Sequence, residues 1–148
     1  MTLPTPQPGL VIRFSYLWAE DAARGREEGS KERPAAVVLV VNEPATAAPH
    51  VYVLPITHSR PAKGVEALEI PAAIARKAGL DAAHSWVVLS EFNEFIWPGF
   101  DLALISGRNP PTVAYGYLTP GFFSKLRDRW LALDAAAKSR GVQRDVED

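Results

Sequence analysis

Two strand-like runs in this chain end in residues able to handle a phosphate. Residues 31–40 read KERPAAVVLV, and residues 51–59 read VYVLPITHS. Arg33 offers a planar guanidinium whose fork matches phosphate oxygens. Thr57 and Ser59 add hydroxyl donors, and His58 can move a proton near neutral pH. A strand could be built without these residues, so their placement decides whether they are caps or a site.

The connection NEPATAAPH (42–50) is short, and short connections join antiparallel neighbours. The start of strand 35–41 must then lie beside the end of strand 51–56. This sets Arg33 and Pro34 next to Thr57, His58 and Ser59. A first strand, GLVIRFSYLW (9–18), pairing with 35–41, brings Trp18 and the loop 19–33 to the same rim. The rim would gather Arg24, Arg26, Glu27, Glu28, Lys31, Arg33, Thr57, His58, Ser59, Arg60 and Lys63. For RNA cleavage the substrate supplies its own nucleophile, the 2′-hydroxyl. The protein then needs a base, an acid and a cation facing the crowded phosphorane. Trp18 beside such a rim is placed to stack on unpaired bases. The plainer reading of the same residues is a solvated basic loop and a turn threonine.

The remaining elements are short. Residues 35–41 form a β-branched run that reads as a fully buried strand. Pro55 limits ladder pairing in the next strand. Strands are expected at 65–70, 84–92 and 113–118, a short helix at 71–80, and a turn at Pro98-Gly99. A C-terminal helix opens at Thr119-Pro120, with Phe122, Phe123, Leu126, Trp130 and Leu133 as its packing stripe. Segment 19–33, without an apolar stripe, reads as a long mobile loop, with a short surface helix at 19–26 as the alternative. This pattern predicts a mainly β, α+β fold: a small barrel or strongly curved sheet with a short connecting helix and a closing C-terminal helix. Residues 1–8 read as a flexible Pro-rich segment, 9–138 as the domain, and 139–148 as a polar, disordered tail.

At 148 residues the chain fits one domain. Its 47% hydrophobic and 22% charged residues are ordinary for a globular protein. A formal net charge of −1 gives no global basic field, so polyanion binding must rest on a local patch. The lack of cysteine excludes disulfides and thiolate metal sites. No metal-ligand spacing is present, and no metal or cofactor is expected. His50 and His84 read as surface or capping residues, and Trp86, Trp97 and Trp130 as core or interface. The N-terminus lacks a signal-peptide pattern and no apolar run is long enough to span a bilayer, which points to a cytoplasmic protein without membrane contact.

PGLVIRF, ERPAAVVLVV and VYVLPITHS, taken in order over residues 8–133, resemble the PemK/MazF/Kid family of toxin endoribonucleases, in particular its PemK-like branch. The resemblance implies an SH3-like β-barrel working as a homodimer. It implies metal-independent cleavage of single-stranded RNA, leaving a 2′,3′-cyclic phosphate, and a small antitoxin as protein partner. It places catalysis on Arg33, for phosphorane stabilisation and proton handling, and on Thr57, which would orient the scissile phosphate. An acid of Kid-like members falls on Glu91. Their arginine falls on Leu89, and the first loop reads REEG without their histidine. His58 is the candidate for the missing acid–base role, with Glu28 as a second candidate base. Lys31, Ser59, Arg60 and Trp18 complete the expected substrate contacts. A non-catalytic SH3-like module that binds a partner is the competing reading. The gyrase-poisoning relatives act through a C-terminal aromatic segment, whereas this chain ends in QRDVED.

Overall fold

The run at 35–41 carries no polar side chain because both faces of its strand are covered. A computed structural model describes residues 3–29, 31–42, 44–45, 47–80 and 83–144. In it β2 (Glu32–Asn42) lies between β1 (Leu10–Ser15) and β3 (Pro49–Thr57), antiparallel to both. Ala36 and Val38 face one hydrophobic cluster with Val11, Leu54 and Ile56. Ala35 and Val37 face a second with Ile12, Phe14, Val51 and Val53. Period-two alternation therefore sends successive residues into two different cores.

Around this centre the sheet is mainly antiparallel and curled. β7 (Ala114–Tyr117) flanks β1. On the other side of β3 run two short strands, β5 (Ser85–Val88) against Ile56-Thr57 and β6 (Glu91–Ile96) against residues 50–53. β4 (Ala67–Ile70) pairs with β5. The expected strand at 84–92 is thus two strands, broken at Leu89-Ser90, and β6 takes over residues 91–96. α2 (Ala72–Lys77) connects β4 to β5, and α3 (Pro120–Ala135) covers the first core. Phe122, Leu126 and Trp130 are buried there, with Phe123 and Leu133 at its margin. Each fully buried side chain of this size is worth about 1.5–3 kcal/mol. Packing therefore anchors α3: Thr119 occupies its N-cap, but its side chain makes no capping hydrogen bond. No helix among the described residues is long and apolar enough to cross a membrane.

Three stretches differ from the sequence expectation. The charged segment opens with a helix, α1 (Ala19–Ala23), steadied by an Arg24–Glu20 pair at 2.8 Å, and β2 begins at Glu32. The first strand stops at Ser15, leaving Trp18 at the N-cap of α1. The polar tail contains a strand, β8 (Arg140–Gln143), running parallel to β6; residues 145–148 lie outside the described residues. β8 has little apolar surface, so hydrophobic periodicity could not announce it.

The segment joining β1 to α1 is held by a polar residue inside the second core. Asn93 on β6 is fully buried. Its Oδ1 accepts from the Leu17 N–H at 2.9 Å, and its Nδ2 donates to the Leu17 carbonyl at 2.8 Å. Both backbone groups of a buried residue are satisfied by one side chain, as burial demands. Replacing Asn93 by Leu would strand both. An unpaired buried group costs about 1–3 kcal/mol, so Asn93→Leu is expected to lose roughly 2–5 kcal/mol. A urea denaturation curve would show this as a lower midpoint with the slope preserved.

Candidate functional site

β3 ends at Thr57, where the chain turns. Thr57 Oγ1 accepts from the Ser59 N–H at 3.1 Å, forming a tight side-chain turn. On the neighbouring strand Ala36 faces Leu54 and Ala35 faces Pro55. This ladder ends at Ala35 and Pro55, two residues short of Arg33 and Thr57, and Thr57 pairs instead with Trp86 on β5. Arg33 pairs in register with Phe14 on β1.

The Arg33 guanidinium stacks on Trp18, 5.0 Å from the ring centroid. Tyr16 meets the same indole edge-on, with centroids 5.2 Å apart. Burial lowers the Arg33 pKa, partly offset by Tyr16. The guanidinium is half-buried, and its Nε has no hydrogen-bond partner. No carboxylate among the described residues lies within ion-pair distance of it. A cation in that state attracts an anion, because desolvation has already weakened its hold on water.

Glu91 opens β6 and faces the same side of the sheet as Asn93 and Phe95. Its Oε1 accepts from the Tyr16 hydroxyl at 3.1 Å and from the Ala19 N–H at 2.8 Å. Oε2 makes no hydrogen bond among the described residues. Burial raises the Glu91 pKa; the bonds from Ala19 and Tyr16 and the charge of Arg140 pull it down, and Asp21 pushes it up. Burial, then the charge of Glu91, holds the Tyr16 hydroxyl well above its ordinary value, so Tyr16 remains a donor.

A cleft of about 340 Å³ is lined by Trp18, Thr57, Ser59, Arg60, Val65 and Glu91 among others. Arg33 is outside this lining and is joined to it through its stack on Trp18. Of the residues singled out in the sequence, the cleft therefore gathers Thr57, Glu91, Trp18, Ser59 and Arg60, with Arg33 attached through Trp18. His58 is exposed and outside the cleft lining, because the turn at Thr57 presents Ser59 and Arg60 in its place. Glu28 and Lys31 are exposed and also outside the lining. Leu89, where the family resemblance places an arginine, is buried in the first core. His84 is exposed, stacked on Trp86 and 3.5 Å from Glu69.

Tyr16, Asn93 and Arg140 are site neighbours that sequence reasoning missed. The signal was present in SEFNEF. Alternation puts Glu91 and Asn93 on the face of Phe95, so two polar residues point into a core and require partners. Among the described residues no group of three His, Asp or Glu side chains is placed to hold a metal ion. Comparison with protein-family models, curated proteins and solved structures returns no match.

The raised Glu91 pKa has a stability consequence. The folded chain keeps this proton at pH values where the unfolded chain has lost it. The resulting stabilisation is complete below the ordinary carboxyl range and is lost as pH rises through the folded-state value. Glu91→Gln keeps an acceptor for Tyr16 and Ala19 but cannot ionise. Melting curves from about pH 4 to neutral should show the wild type losing ground steadily to Glu91→Gln. A constant difference across that range would contradict the assignment.

Proposed function

We propose that this chain is a metal-independent endoribonuclease of the PemK/MazF/Kid type, the toxin of a toxin–antitoxin pair, built on an SH3-like barrel. On this reading it works in the cytoplasm as a homodimer, and a small antitoxin protein blocks the cleft. The observation that carries the reading is the half-buried Arg33 guanidinium, unmatched by any described carboxylate and stacked on Trp18, which lines one cleft with Thr57. Glu91 in the same cleft lining, its carboxyl pKa raised by burial, supplies the second requirement, a group able to take and return a proton.

The chemistry uses the substrate's own 2′-hydroxyl. Ionised Glu91 takes its proton through Oε2, and the 2′-oxygen bonds to phosphorus. Arg33 opposes the charge that develops on the phosphorane oxygens. Thr57 fixes the phosphate orientation, and Arg60 holds the neighbouring strand charge at the mouth of the cleft. The bond from phosphorus to the 5′-oxygen then breaks, that oxygen takes a proton from water, and Glu91 returns its proton to the hydroxide left behind. The products are a 2′,3′-cyclic phosphate and a 5′-hydroxyl. Trp18, steadied by Arg33 and Tyr16, offers the edge of the cleft to an unpaired base.

Buried Leu89 favours a second reading, a binding module that engages RNA or a partner without cutting. Single-stranded RNA incubated with the protein and a chelator separates the two. The ribonuclease reading expects chelator-resistant cleavage with cyclic-phosphate ends. Arg33→Ala should lower the rate about 10²–10³-fold, the usual loss when one transition-state charge contact is removed. Thr57→Val should lower it about tenfold, the worth of one hydrogen bond. Absence of cleavage at micromolar protein would favour the binding module.

A further inference from the structure

β8 is a strand with little reason to be seated by hydrophobic burial. Arg140, Gly141 and Gln143 are exposed, and Val142 is only partly covered. It is nevertheless fixed at both ends by specific polar contacts. At one end Arg140 lies in parallel register with Glu91, and its N–H donates to the Ser90 carbonyl at 3.0 Å. Its Nη2 donates to the Ala19 carbonyl at 3.4 Å. The Ala19 N–H goes to Glu91 Oε1. Ala19 is therefore gripped from two strands at once, its N–H by β6 and its carbonyl by β8.

At the other end the Arg144 N–H donates to the Glu94 carbonyl at 2.9 Å. Its guanidinium side chain is 3% exposed and forms an ion pair with Asp101 at 3.0 Å. It also donates to Asn93 Oδ1 at 3.2 Å and to the carbonyls of Ser15 and Glu27. Gly141 sits so close to β6 that a Cβ would run into the Phe92 ring. The close fit and the two arginines together tie the C-terminal strand to residues 15–19, the segment that carries Tyr16 and Trp18.

We propose that β8 is the positioning element of the cleft, with Arg140 the positioning residue that holds Ala19 onto the Glu91 carboxyl and sets a positive charge against it. The inference rests on reading Glu91 as the proton carrier of the proposed ribonuclease. Other groups facing Glu91 are Tyr16 from the segment after β1, Asp21 from α1, and Arg60, which lines the same cleft from the turn after β3. Arg140 and Asp21 act in opposite directions: the cation favours the carboxylate, and the acid favours its protonated form. Loss of Arg140 leaves Asp21 unopposed from that side.

The test is a carbon-13 NMR titration of the Glu91 side-chain carboxyl in the full chain. Arg140 is exposed, so Arg140→Met should fold, and a melting curve checks this. The Glu91 midpoint is expected to move to higher pH in Arg140→Met and to stay near the wild-type value in Arg140→Lys, which keeps the charge. If the chain cuts RNA, the acid limb of kcat should move upward in parallel in Arg140→Met. An unmoved midpoint in Arg140→Met overturns the proposal, as does an equal shift in Arg140→Lys. The titration reads Glu91 whether or not the chain cuts RNA. Failure of wild-type cleavage therefore removes the ribonuclease reading alone, and an unmoved midpoint removes the role of Arg140 alone.

Discussion

The two-way hydrogen bond between the Asn93 carboxamide and the Leu17 backbone is the constraint on which the cleft depends. Residues 16–18 leave β1 without a strand partner among the described residues, yet they must cross the end of a buried core. Without Asn93 the N–H and carbonyl of buried Leu17 would be left unpaired. With it, Tyr16 is delivered to Glu91 and Trp18 to Arg33. Arg144 adds a second contact to Asn93 Oδ1 and to the Ser15 carbonyl, so the same node also anchors the C-terminal strand. Buried polar nodes of this kind are worth having only when every member is satisfied, and these contacts meet that condition for Leu17.

That node explains why the cleft combines a cation and a carboxyl that do not neutralise each other. Arg33 and Glu91 sit on different strands, one stacked on Trp18 and the other bonded to Tyr16, and those two rings meet edge-on. Glu91 directs Oε1 to Tyr16 and Ala19. Arg33 is left with an aromatic face in place of an acid. Burial then acts on both groups in the direction that disfavours charge, lowering one pKa and raising the other. On the proposed ribonuclease reading, a phosphodiester entering between them would meet a cation on one side and a carboxyl on the other.

How much of this was legible in the sequence can be judged residue by residue. The antiparallel pairing of β2 with β3 followed from two β-branched runs and a short connection, because such a connection leaves little freedom. The helix stripe of α3 followed from its spacing. His58 shows the limit: alternation alone could not say whether the strand would continue past Thr57. The side chain of Thr57 itself ends it, through its bond to Ser59. β8 was illegible for a different reason. Its seat is made of main-chain pairing, a glycine fitted against Phe92, and two arginines with partners more than 100 residues away along the chain at Ala19, Ser15 and Glu27 besides nearer ones at Asn93 and Asp101. Composition reads such a stretch as tail. Asn93 was legible in principle, as an inward-facing polar residue on a core strand, but its partner was a backbone and left no pattern.

The central claim is that one phosphate binds between Arg33 and Thr57. Backbone amide shifts followed by NMR during titration with a single-stranded oligonucleotide carrying 2′-O-methyl groups would test it most directly, since such a strand can bind but cannot be cut. The expected result is a saturating set of shifts at Trp18, Arg33, Thr57 to Arg60 and Ser90-Glu91. Saturating shifts confined to the α3 face, with those amides unmoved, would contradict it.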